Sequence, residues 1–378
     1  MKSFKNYSIV FILVLALVQE GLSQSISLPP SGANQKASVT QWMGLVKAQF
    51  IYNSPDVTSP TGEDRTGKIW GGLVPWGMVY LGFGPAKVSP WRAGANENTV
   101  FYVSHDVKIE GQELPAGHYG FHIIPQEKGA WTLVFSKNYT SWGSFFYDPE
   151  EDALRVEVDP VKCEFNEWLT YGFDNRQLNS CTAFLKWENL EIPFNIEVPD
   201  TYELYLSTIR NELRSSAGFT YISWVQAVNF CVQNNINLEE ALTWADYAIS
   251  APFIGQENFQ TLQAKASVLE ALGNQSEADG VMDKAIKNPT ASVGEIHQYG
   301  RSLIADGRND KAMEVFEYNR KAHPDDTFTT YVGLARGYAA LGDKKKAIKY
   351  WETAIENLPE EQKPNLTYYE SELNKLKE

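Results

Sequence analysis

The chain has 378 residues, with 33 basic and 47 acidic side chains and a formal charge of −14. That length allows two or three domains, and the acidic balance argues against nucleic acid or an anionic membrane as a general partner. Three cysteines are too few for a disulfide scaffold.

The first residues set an expected compartment. Lys2 and Lys5 precede an apolar run from Ile9 to Val18 and then a polar QEGLSQS stretch. This is the basic, apolar and small-residue order of a secretory signal peptide. The run is about half of the roughly 20 residues that span a bilayer, so no stable membrane span is expected. Cleavage is expected after Ser23, with Gly21 and Ser23 as the small residues, which makes residues 1–23 the leader. Its loss removes Lys2, Lys5 and Glu20 and takes the formal charge from −14 to −15. The mature protein is then periplasmic or extracellular. No cysteine precedes Cys163, which excludes a lipid-modified cysteine at this cleavage site.

Residues 25–198 read as a β domain. Val46, Ala48, Phe50 and Tyr52 alternate with Lys47, Gln49 and Asn53. Tyr119, Phe121 and Ile123 alternate with His118, Gly120 and His122. Leu154, Val156 and Val158 alternate with Arg155, Glu157 and Asp159, and Ile192, Phe194, Ile196 and Val198 close the series. The turn signals SPTGED, EGQELPAG, PQEKGA and DNRQLN separate the runs. Many short alternating strands between Gly, Pro and Asn turns predict an antiparallel β-sandwich-like domain. Glu167–Phe173 and Cys181–Trp187 read as a hairpin around DNRQLN. At about 3.3 Å per residue this holds Cys163 and Cys181 on the order of 20 Å apart, beyond disulfide reach. All three cysteines, Cys231 included, are expected as free, buried thiols.

One set of segments is specific. GKIWGGLVPWGMV, SPWRAGANENTVFYVSHDVKIEGQELPAGHYGFHIIP, WTLVFSK, SWGSFFYD, LRVEV and EWLTYGF together resemble the domain of unknown function 2911 family. WRAGANE and LPAGHYGFHIIP carry most of that likeness. Tyr80–Pro90 departs from it and reads as an insertion before WRAGANE. The resemblance implies an exported β-sandwich-like domain and names no activity.

From residue 199 the period changes. Asp200 and Glu203 form a capping box ahead of Tyr202, Leu206, Ile209 and Leu213 at helical spacing. Asn237 and Glu240 are expected to cap a second helix. Gly273, Gly307 and Gly342 then stand 34 and 35 residues apart, as do Ala278, Ala312 and Ala347. Pro289, Pro324 and Pro359 repeat every 35 residues. A period near 34 predicts an α-α superhelical, tetratricopeptide-like solenoid over residues 199–378. In such units glycine closes the first helix, small residues let the pair approach, and proline ends the second. Asn319 departs from the pattern, standing where a small residue is usual. Ala241, Ala245 and Ala248 mark a degenerate earlier unit, and LTYYESELNKLKE reads as a solvating cap.

No sequence motif commits the chain to a chemistry. G-x-S-x-G, P-loop and H-E-x-x-H patterns are absent. His118 and His122, four residues apart on one strand, would lie about 13 Å apart, too far for one metal ion. They are expected as partly exposed strand residues, so neither metal nor cofactor is expected. The candidate binding residues are Trp91, Arg92, Asn96 and Glu97, a charged and amide-bearing cluster in a glycine-punctuated loop. The competing expectation is structural, with Arg92 and Glu97 paired and Asn96 bonding within its own turn. Trp142 and Asp148 of SWGSFFYD are expected in hairpin packing.

The functional expectation is therefore a binding or assembly protein that meets a protein partner through its helical repeats. The alternative is an extracytoplasmic hydrolase of glycan or peptide with its site at WRAGANE, which requires Glu97 recessed beside Arg92.

Overall fold

The computed structural model describes residues 34–378, so the expected leader and its cleavage site lie outside the described residues. Two antiparallel sheets come first. The six-stranded sheet runs in the order β1 (Gln35–Met43), β2 (Val46–Ser54), β3 (Thr99–Val103), β6 (Gly117–Ile124), β7 (Trp131–Ser136) and β8 (Asp152–Val158). The four-stranded sheet runs β5 (Gln112–Leu114), β4 (Val107–Ile109), β10 (Ser180–Glu197) and β9 (Val161–Asp174). The alternation in β2 and β8 lays their apolar faces on one shared core. Aromatic rings join the sheets across it. Phe50 stacks on Tyr171 with centroids 4.4 Å apart, and Phe121 stacks on Phe194 at 5.8 Å. Such pairs stabilise the core beyond the area they bury.

The β9–β10 hairpin is longer than the sequence suggests, but its register keeps Cys181 near the turn and Cys163 near the far end. All three thiols are free. Cys181 and Cys231 are buried, whereas Cys163 is only half-buried, because β9 is an edge strand.

One expectation about strand exposure fails because loops cover the outer side of the six-stranded sheet. His122 is buried, not partly exposed, with Ser144 and the edge of the Tyr147 ring against it. Asn53 is buried as well, where the WRAGANE loop folds over it. His118 keeps the expected exposure, stacked on Tyr139 and tilted against Tyr102. Trp142 is 56% exposed and packs in no hairpin core. Asp148 instead caps a single 3-10 turn, accepting from the Glu150 amide.

Ten α-helices follow among the described residues. The division between two compact units falls between Tyr205 and Leu206, inside α1 (Thr201–Leu213). Asp200 accepts from the Glu203 amide, as its capping position demands. The hairpins are α2 (Tyr221–Asn234) with α3 (Leu238–Ser250), α4 (Phe259–Ala271) with α5 (Gln275–Ala285), α6 (Val293–Ala305) with α7 (Asn309–Ala322), and α8 (Thr329–Ala340) with α9 (Lys344–Glu356). A final helix, α10 (Leu366–Lys377), buries Leu373.

Gly273, Gly307 and Gly342 each follow the first helix of a hairpin at φ near +80°, the left-handed close that glycine adopts without strain. Ala278, Ala312 and Ala347 are buried at the helix contacts. Asn319 is tolerated there because it is satisfied. Its Nδ2 donates to the Val293 carbonyl at 2.9 Å, and its Oδ1 meets His323 Nδ1 at 2.9 Å. Asn237 does not cap as expected. It sits in the left-handed region, and its Nδ2 donates to Glu240, which also takes the Arg210 guanidinium.

Candidate functional site

The WRAGANE loop is fixed by its backbone. Trp91 exchanges two hydrogen bonds with Ile123 of β6 at 2.9 Å each. The Ala93 carbonyl accepts from Thr99 Oγ1 and from Tyr171 Oη, and the Ala95 amide donates to Asn53. Ala93 and Asn96 both adopt positive φ, at 51° and 57°. These two reversals decide where the side chains go.

Arg92 and Glu97 do not pair, which corrects the sequence expectation. Arg92 Nη1 donates to the Asn96 carbonyl at 2.6 Å. Glu97 turns away, accepting from Asn53 Nδ2 and standing 3.5 Å from Lys36 Nζ. Partial burial raises the Glu97 pKa, but Asn53 and Lys36 outweigh it and the net shift is downward. Asn96 makes only long side-chain contacts, 3.4 Å to Asn34 and 3.5 Å to Asn53.

Trp91, Arg92 and Asn96 line a cavity of about 540 Å³ in the β unit, and Glu97 does not. The guanidinium lies over the Phe145 ring at 5.4 Å. It also lies against Gly143, where a Cβ would come within 2.6 Å of Nη1. Burial lowers the Arg92 pKa from its ordinary value. His122, behind it, is held neutral: burial and the Arg92 charge push its pKa down to about 3. The Ser144 hydroxyl bridges the two regions, 3.1 Å from His122 Nδ1 and in the cavity wall. The acidic side chain among the lining residues is Asp56. Arg65 holds it, donating to its carbonyl and standing 3.6 Å from Oδ1. A hydrolase built on Glu97 beside Arg92 therefore has no recessed carboxylate at that position.

Two contributors were not visible in the alternation. The register of β10 shifts on either side of Glu188, which adopts a positive φ of 54°. This bulge buries two successive residues, Trp187 and Glu188. Trp187 lines the cavity, and Glu188 accepts from the Gly67 amide, tying the long connection between β2 and β3 to the sheet. Bulges beside binding sites commonly re-aim side chains in this way.

The helical unit has a second concentration of donors. Gly333 of α8 sits so close to α6 that a Cβ would lie 3.2 Å from His297 Nδ1. A groove of about 290 Å³ is lined by Ile304, Arg336, Trp351 and residues of α10. Arg336 lies 5.5 Å over the Trp351 ring and donates to Tyr368 Oη at 2.8 Å. Its Nε is buried without an acceptor among the described residues, as is His297 Nδ1 without a partner. Burial, with Arg336 and Arg301 nearby, lowers the His297 pKa to about 4.

Residues 34–196 match the model of a family described as protein of unknown function (DUF2911), so the β unit carries that domain ahead of tetratricopeptide-like repeats. Among solved structures, the chain is similar to MamA, residues 41 to the end, from Desulfovibrio magneticus RS-1. The identity is 20% over 41% of this chain and 92% of that one, with a TM-score of 0.27. It is also similar to YrrB, described as a TPR protein with an unusual peptide-binding site. There the identity is 20% over 45% of this chain and 83% of that one, with a TM-score of 0.30. At such scores the repeat architecture rests on the hairpin packing itself. No curated protein matches the chain. Among the described residues, no helix is long and apolar enough to cross a membrane.

Proposed function

We propose that this is an exported binding protein whose helical unit docks a segment of a partner protein on the face formed by α6, α8 and α10. The observation that carries this reading is Arg336: a guanidinium set between the Trp351 and Tyr368 rings in a groove, with its Nε lacking an acceptor among the described residues. A planar donor fork against aromatic rings suits a peptide carbonyl or carboxylate. Stacked helical hairpins characteristically offer extended surfaces of this kind. The overall charge of −14 makes nucleic acid a poor alternative partner.

Export rests on the order Lys2, Lys5, the apolar run to Val18, and Ser23. N-terminal sequencing of protein from its native host should begin near Gln24, and an intact Met1 would refute it. For docking, full-length wild-type protein and Arg336→Glu are compared in affinity capture from an envelope extract. The expected result is a partner held by the wild type and lost from the variant. Identical capture by both would place the partner elsewhere.

A further inference from the structure

We propose that the β-unit cavity binds a small organic acid, a ligand carrying a carboxylate-type anion on an apolar body, with Arg92 as its anchor.

The first ground is an uncompensated charge. Arg92 is half-buried, and no acidic side chain pairs with it among the described residues. Only Nη1 is engaged, by the Asn96 carbonyl, which leaves Nε and Nη2 without acceptors among the described residues, in a position set by Gly143 and the Phe145 ring. A guanidinium remains protonated under ordinary conditions, so its desolvation is offset only by an anion or strong acceptors. The chain holds 47 acidic residues, yet Glu97, five positions away, turns to Asn53 and Lys36. The loop fold keeps the charge open.

The second ground is independent of Arg92. Trp187 is almost fully buried and lines the same cavity, and its Nε1 has no acceptor among the described residues. Buried indole N–H groups normally find one. The neighbouring Trp70 Nε1 is also unpartnered but does not line the cavity, and nothing in its packing explains it. With Asp56 already taken by Arg65, the wall presents unmatched donors and one net positive charge from these three groups. A ligand that completes it brings acceptors and negative charge.

The third ground gives the rest of the ligand. Leu73, Val74, Val79, Leu81 and Trp91 supply apolar wall, and Leu73 is half exposed at its edge. Phe83, from the Tyr80–Pro90 segment, is 66% exposed and packs edge-on against Phe145 and Phe146. A volume of about 540 Å³ lies in the range of pockets that enclose small organic ligands. A bare inorganic anion would leave most of that wall wet.

The test titrates mature full-length protein with three probes of one shape: 3-phenylpropanoate, its neutral amide, and phenyl phosphate. Tryptophan fluorescence reads the binding, because Trp91 and Trp187 stack at 6.1 Å in the wall. The expected result is that the carboxylate binds at least roughly tenfold more tightly than the amide. Arg92→Met should remove that preference while melting no lower than wild type. Arg92→Lys keeps the charge without the planar fork, so it should bind the acid more weakly but still prefer it to the amide. Binding of phenyl phosphate in place of the carboxylate would assign the same anion chemistry to a phosphate ester. Equal affinity for acid and amide, undiminished binding by Arg92→Met, or no binding of either anion would overturn the proposal.

Discussion

The Arg92 guanidinium donates to the carbonyl of Asn96, four residues along, and leaves the carboxylate of Glu97 to Asn53 and Lys36. Five positions of one loop thus divide a cavity-facing cation from an anion facing the other way. The positive φ of Asn96 produces the reversal.

A double-mutant cycle follows from that geometry. Glu97→Ala strands the buried Asn53 amide and should cost about 1–3 kcal/mol. Arg92→Met should cost nothing or stabilise, since it replaces an unpaired half-buried charge with an apolar chain of similar length. In urea melts the double variant should equal the sum within about 0.5 kcal/mol. A coupling above roughly 1 kcal/mol would mean that the two side chains pair in solution.

Gly143 is the next test of the same site. Its φ is +63°, and an added Cβ would meet Arg92 Nη1 at 2.6 Å. Gly143→Ala should therefore lose on the order of 1 kcal/mol through backbone strain and push the guanidinium off Phe145. The crystal structure of the variant should show Arg92 moved from the Asn96 carbonyl. An unmoved Arg92 would mean that the loop around residue 143 yields instead.

Acid stability should depend on His122. Its pKa falls from an ordinary 6.5 to about 3 in the folded protein, through burial and the Arg92 charge. Between those values the unfolded chain takes up a proton that the folded chain refuses. The stability contributed by neutral His122 is therefore full above about pH 6.5 and is lost progressively as pH falls toward 3. His297, lowered to about 4, adds a smaller effect of the same sign. Denaturant melts at pH 7 and near pH 4.5 should show wild type losing more stability than His122→Gln, by an amount of order 1 kcal/mol or more. Equal losses in both proteins would show that His122 titrates freely.

Much of the fold could be read in advance because it depends on local residue type. The glycines near residues 273, 307 and 342 occupy left-handed helix closes, and the alternating strands bury the faces their spacing implies. The site was legible only in part. WRAGANE was recognisable as a candidate loop, and three of its four candidate residues do meet at the cavity. The direction of Glu97 was not legible, because it depends on two positive φ values at Ala93 and Asn96. Trp187 and Glu188 were hidden for a related reason: a bulge breaks the alternation that strand reading assumes. The burial of His122 was hidden because the loops that cover it are distant in sequence.

The proposed docking places a partner segment on the α6, α8 and α10 face. It is tested most directly by photo-crosslinking in the native host, with benzoylphenylalanine placed at Tyr368 or at the exposed Lys345 of α9. Tyr368 stands beside Arg336 and is 47% exposed. The account predicts one discrete protein adduct from position 368, abolished by Arg336→Glu, and none from position 345. No adduct from 368, or the same adduct from both positions, would contradict it.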